Sequence, residues 1–253
     1  MNNPSLESLH ILVTRPVGLA DALCNEIKKH GGKITLFPVL EIAATDNIEN
    51  LQTAIDTVNS YDIAIFISPT AVKRTALHIK LSAIKPTVVA IGEATSSALL
   101  EEGVDTAIRP EGQNSESLLE QPSLQPAAIN NKRIIIFKGE GGRDLLFDTL
   151  TARGASVFNA SMYKRKKPEH YVPLSTSALQ NIDVILVSSG EGLHNLFDMT
   201  PDKSTLMAST IIVPGNRCAG IAKALGFRSV IVTTNATNSS FLGTLYELCR
   251  KKP

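Results

Sequence analysis

With 253 residues, 43% of them hydrophobic and 19% charged, the chain has the composition of a globular protein with enough material for two ordinary domains. A formal net charge of +1 excludes a broadly basic nucleic-acid binder, so any anionic ligand must be held by local charge. Cys24, Cys218 and Cys249 form no C-x-x-C pair and the five histidines show no ligand spacing, so packing roles and no metal are expected.

The opening MNNPSLESLHILVTRP has no basic leader, and no later segment reaches the length of a membrane span; a cytoplasmic chain with no membrane partner is expected. Apolar runs of about five residues alternate with helical patterns, the mark of βαβ units and of an α/β fold with parallel β-sheets flanked by helices. In the first unit, Ile11 to Val13 is a predicted strand. Leu19, Leu23 and Ile27 then share one helical face, and Gly31 and Gly32 end that helix.

The units repeat. HILVTRP near residue 11 is echoed by RIIIFKG near residue 134, an offset of 123. DIAIFISPTAV from Asp62 is echoed by DVILVSSGEGL from Asp183, an offset of 121, and VVAIGEATSSALLEEG by IIVPGNRCAGIAKALG, with Gly92 on Gly215 and Gly103 on Gly226. Three matched segments in one order imply two similar domains, since the period is far too long for a solenoid. FPVLEIAA around Pro38 and SMYKRKKPEH around Lys164 to Pro168 do not read as core strands and are candidate linkers.

In open parallel sheets, ligands gather beyond the carboxyl ends of strands, where helix N-termini present unpaired N–H groups. Six such turns are rich in small polar or basic residues. They are Thr14-Arg15-Pro16, Ser68-Pro69-Thr70, Gly92-Glu93-Ala94-Thr95, Lys138-Gly139, Ser188-Ser189-Gly190 and Pro214-Gly215-Asn216-Arg217. Each could donate backbone and hydroxyl hydrogen bonds to carboxylates; helix capping alone accounts for any one of them, and six alike shift the balance toward ligand binding. The glycine-rich Gly139-Glu140-Gly141-Gly142-Arg143 is not a dinucleotide fingerprint, because Asp144 stands where the third glycine belongs, and no phosphate loop is present. With no nucleophile elbow and no Cys/His dyad, a reaction here must need little side-chain chemistry.

GEGGRDLLFDTLTARGASVFNASMYKR resembles the signature of the uroporphyrinogen-III synthase family: a glycine-rich turn with arginine, a helix, a Gly-Ala pair, a strand, then a tyrosine with basic residues. LVTRP, AIGEATSSAL, PEGQNSESLL and VSSGEGL also match family habits, so the resemblance spans nearly the whole chain. Cys218 stands where many members carry threonine. The resemblance implies two domains, 1–38 with 168–253 and 44–161, joined by connector strands at 39–43 and 162–167. It implies hydroxymethylbilane as substrate, no cofactor, a monomer and a transient contact with the preceding pathway enzyme. Tyr163 would be the catalytic donor. Thr14, Arg15, Ser68, Gly92, Thr95, Ser115, Lys138, Gly139, Gly141, Gly142, Arg143, Ser188, Ser189, Asn216 and Arg217 would hold the substrate. Rival readings are a bilobed cytoplasmic small-molecule binder without catalysis and a two-domain glycosyltransferase.

Overall fold

A computed structural model describes residues 5–112, 114–142 and 144–251. In chain order the elements are β1 (His10–Val13), α1 (Asp21–Lys29), β2 (Lys33–Leu36), β3 (Glu41–Ala43), α2 (Ile48–Thr57), β4 (Ile63–Phe66), α3 (Pro69–Ala76), β5 (Thr87–Ala90), α4 (Glu93–Glu101), α5 (Ser115–Leu119) and α6 (Pro126–Ile129). There follow β6 (Arg133–Gly139), α7 (Leu145–Ala152), β7 (Ser156–Lys166), α8 (Thr176–Gln180), β8 (Val184–Leu186), α9 (Gly190–Met199), α10 (Lys203–Ala208), β9 (Thr210–Pro214), α11 (Gly215–Ala224), β10 (Ser229–Thr233) and α12 (Asn238–Lys251). No helix among the described residues is long and apolar enough to cross a membrane.

The chain divides into two compact units, Met1–Glu41 with Lys166–Pro253, and Ile42–Arg165. The first is built on a five-stranded sheet in the order β10-β9-β8-β1-β2, with every pairing parallel. Because successive side chains on a strand point to opposite faces, Leu12, Ile185 and Ile211 pack on α9, α10 and α11. Their neighbours Ile11, Val13, Val184 and Ile212 pack on α1 and α12. Covering both faces explains why the strands read as unbroken apolar runs.

The second unit has the sheet β3-β7-β6-β4-β5, in which β7, β6, β4 and β5 run parallel. Ala64, Phe66, Ile135 and Phe137 face α2, α3 and α4, while Ile63, Ile65, Ile134 and Ile136 face α5, α6 and α7. The repeat in the sequence recurs in strand register. Ile11 pairs with Val184 as Ile134 pairs with Ile63, His10 with Lys33 as Arg133 with Ser156, and Val184 with Thr210 as Ile63 with Thr87. The counterpart of β10 shrinks to a single bridge, Val89 to Ile108.

One expectation fails at α1. Leu19 lies before the helix and is 41% exposed, and Ala20 is buried instead. The cause is the Pro16-Val17-Gly18 turn, where Gly18 at φ 80° interrupts any helical run from Pro16. The helix does end at Gly31, φ 87°.

Asp202 caps α10. Its carboxylate accepts from the Thr205 N–H and from the hydroxyls of Ser204, Thr205 and Thr176, which lowers its pKa below the usual carboxylate range. A carboxyl whose folded pKa is depressed adds stability that is present above its unfolded value of about 4 and lost as pH falls through the lower folded value. Asp202→Asn is therefore expected to lower Tm by a few degrees at neutral pH and to flatten the acid limb of the stability curve below about pH 4. Thermal melts between neutral pH and about pH 3 check this, and an acid limb identical to that of the parent would disprove it.

Candidate active site

Each sheet has a point where the chain order reverses, and the helices that follow the two adjoining strands leave to opposite faces. In the first unit this point lies between β1 and β8, in the second between β6 and β4. Such crevices beyond the carboxyl ends are where open α/β sheets bind ligands.

At the first crevice stand Thr14, Arg15, Ser188 and Ser189. Thr14 is buried and spends its hydroxyl on the Leu186 carbonyl, 2.8 Å away, so its side chain fastens β1 to β8. Ser189 caps α9 by accepting from the Gly192 N–H at 3.0 Å. Arg15 crosses the crevice. Its Nε donates to Ser188 Oγ at 3.1 Å, and its two terminal nitrogens donate to Asn238 Oδ1 and the Ala236 carbonyl, each at 2.5 Å. The guanidinium also lies 5.3 Å from the Phe241 ring centre. All three acceptors are neutral, so its charge is not cancelled locally. Burial lowers its pKa, and nearby Cys24 pulls the other way. Asn216 and Arg217 are exposed in the first turn of α11, and Cys218 is buried in the core behind them, so no hydroxyl is offered there.

The second crevice holds Ser68, Lys138, Gly139 and Tyr163. Ser68 caps α3 by accepting from the Ala71 N–H at 3.0 Å, the counterpart of Ser189 at an offset of 121. The Tyr163 hydroxyl lies 3.2 Å from Ser68 Oγ. The family resemblance implies a role for this tyrosine at the site but does not foretell its burial: Tyr163 is 7% exposed. A β-bulge aims it. Lys138 pairs with Ser161 but Gly139 pairs with Tyr163, so Met162 is the extra residue, and Met162 and Tyr163, though consecutive, both pack against the same core. The ring rests on Gly139, where a Cβ would stand 2.7 Å from Cε2 and Cζ.

Gly92 precedes α4 with an extended backbone, and Thr95 in its first turn is 2% exposed. Ser115 begins α5, half-buried. Gly141 and Gly142 have φ of 69° and 89° and nothing within 4 Å of the place a Cβ would take. Arg143 lies outside the described residues. A cleft of about 340 Å³ in the same unit sits at the amino end of β5, lined by Leu81, Thr87, Gly103 and Asp105; it is at the opposite end of the strand from Ser68 and Gly92 and gathers no reactive group.

The family model described as Uroporphyrinogen-III synthase HemD matches residues 21–243. The chain belongs to the uroporphyrinogen-III synthase family. It is 31% identical to the uroporphyrinogen-III synthase of Salmonella typhimurium and 30% to that of Escherichia coli, each over 94% of this chain and 100% of the relative. Its fold is similar to that of a mutant uroporphyrinogen III synthase of Thermus thermophilus, with TM-score 0.59 and 17% identity over 96% of this chain and all of that one. It is also similar to the Helicobacter pylori protein, with TM-score 0.58 and 14% identity over 95% and 99%.

In this member of the synthase family, three residues that sequence reasoning left unassigned hold the tyrosine's surroundings. The Glu140 N–H donates to the Tyr163 carbonyl at 2.8 Å, while its carboxylate accepts from the Thr45 hydroxyl and the Asp46 N–H. Asp46 in turn receives Lys164 Nζ at 2.5 and 2.6 Å. Glu140 was visible inside the glycine-rich turn, but nothing in one sequence ties it to residue 45. The basic run 164–167 is absorbed largely by such pairing: Lys166 meets Glu41 and Glu169, and Lys167 meets Asp198.

Proposed function

We propose that the protein cyclises hydroxymethylbilane to uroporphyrinogen III, with inversion of the last pyrrole ring and net loss of water. The reading is carried by the family match across residues 21–243, taken with full-length similarity to two proteins named for that activity. The substrate loses hydroxide from its hydroxymethyl carbon and a proton from the pyrrole nitrogen, leaving an electrophilic azafulvene. Attack by the substituted carbon of ring D forms a spiro centre, which opens and recloses with that ring inverted; the proton lost from the ring D carbon restores its aromatic pyrrole, the nitrogen that gave up its proton regains one, and the sum is one water.

Two contributions suffice for this chemistry: holding the chain in near-attack geometry, and donating a proton to the departing oxygen. Tyr163 is the proposed donor. Ser68 Oγ already accepts from Ala71, and a hydroxyl has one hydrogen to give; if Ser68 donates it to Tyr163 Oη, the tyrosine O–H is left for the substrate. Arg15, Lys138 and Arg217, with the amides and hydroxyls of the turns at Ser68, Gly92, Ser115, Gly139 to Gly142, Ser188 and Asn216, are the proposed carboxylate holders. Arg143 joins them on the resemblance alone. The unit boundaries at Glu41/Ile42 and Arg165/Lys166 fall inside β3 and β7, which supports reading these strands as the connector.

Purified protein supplied with hydroxymethylbilane should yield the type III isomer, and type I alone would end this reading and favour a binding protein. Because several carboxylates are held by few cations on a nearly neutral protein, raising salt from about 0.05 to about 0.5 M should increase KM several-fold with kcat little changed. A KM independent of salt would assign the holding to uncharged groups.

A further inference from the structure

Among the described residues, Lys138 is the only charged side chain that is buried. Among those residues its ammonium has one carboxylate partner, Asp144 Oδ1 at 3.1 Å, and the two are unequal: the lysine side chain is 9% exposed and the aspartate 59%. Asp144 stands at the start of α7 yet makes no capping bond with its side chain, so the ammonium is what holds it. The duplicated unit provides an internal comparison. Arg15 occupies the place of Lys138 and Asp21 that of Asp144, both at the offset of 123, and there the cation is satisfied by Ser188, Asn238 and Ala236 with no carboxylate. A cation at this strand end does not need an acid to be accommodated, so the acid at Lys138 calls for another explanation.

We propose that Asp144 is an internal stand-in for a substrate carboxylate, exchanged at the Lys138 ammonium when the polycarboxylate binds. The inference rests on the function proposed above and gives it a subsite. Exchange returns an already exposed aspartate to water while the buried ammonium stays paired throughout, so no step leaves an uncompensated charge in the interior. While the pair is closed the subsite is occupied, and apparent affinity falls in proportion to the fraction of molecules in which it is open.

The probe is uroporphyrin III, a stable fluorescent octacarboxylate, titrated at low ionic strength into the full chain and its variants. Asp144→Asn and Asp144→Ser should each bind it about three- to tenfold more tightly, and Lys138→Met more weakly. In the Lys138→Met background, Asp144→Asn should give no gain, because the group it frees is absent. Serine is a good neutral N-cap, so α7 keeps its start even where asparagine is poorly tolerated. Unchanged or weaker binding by folded Asp144 variants, or a gain that persists without Lys138, would overturn the exchange. Parent protein that makes type III product without this pattern would sink the exchange alone; parent protein that neither binds uroporphyrin nor makes type III product would sink the functional reading and the exchange with it.

Discussion

Tyr163→Phe is expected to lower kcat on hydroxymethylbilane by tens- to thousand-fold, on the order of 2–4 kcal/mol, the usual scale for removing one donor to a developing oxyanion. Activity should not vanish, because the restraint that folds the substrate is a separate contribution which phenylalanine leaves in place. The structure adds a stability term. The hydroxyl lies against Ser68 in a part-buried setting, and losing that bond costs about 1 kcal/mol, while Ser68 keeps its bond from Ala71. Tm should fall by only about 2–4 °C, since that energy is small against the unfolding entropy of a chain this size. Measuring kcat and Tm on one preparation separates the roles. Undiminished kcat with a lowered Tm would make Tyr163 a packing residue and remove it from the mechanism.

Gly139→Ala is expected to be comparably damaging although it adds a single methyl group. That methyl would stand 2.7 Å from Cε2 and Cζ of Tyr163 and 3.1 Å from its hydroxyl oxygen, closer than side-chain carbons approach one another. The obstacle is a rigid ring seated in a packed core, so the ring must move, and its hydroxyl leaves the position set by Ser68. A fall in kcat of at least about tenfold with an unchanged far-UV circular dichroism spectrum is the expected result. The double variant decides the cause. If alanine acts by displacing the hydroxyl, Gly139→Ala should cost little further in a Tyr163→Phe background, whereas additive losses would show that Gly139 contributes independently.

The α/β class, the repeated segments and the turns that end the parallel strands were all legible in the sequence, because each is a local property. Fully apolar strands such as Ile134 to Phe137 announce a sheet covered on both faces, and Ser68 and Ser189 announce helix starts. The resemblance to the family lies in the same local order of segments. Leu19 shows the limit of periodicity: the spacing matched a helix, but a left-handed glycine one residue earlier ended the argument. What only the tertiary structure decided depends on pairs far apart in the chain. Arg15, read as a substrate contact, is tied to residues more than two hundred positions away. Glu140 meets Thr45 and Asp46 because strand order brings their loops together. Above all, the orientation of Tyr163 comes from one bulged residue between β6 and β7. Strand alternation alone would send Met162 and Tyr163 to opposite faces, and no local preference of either residue reveals the register shift that puts both on one.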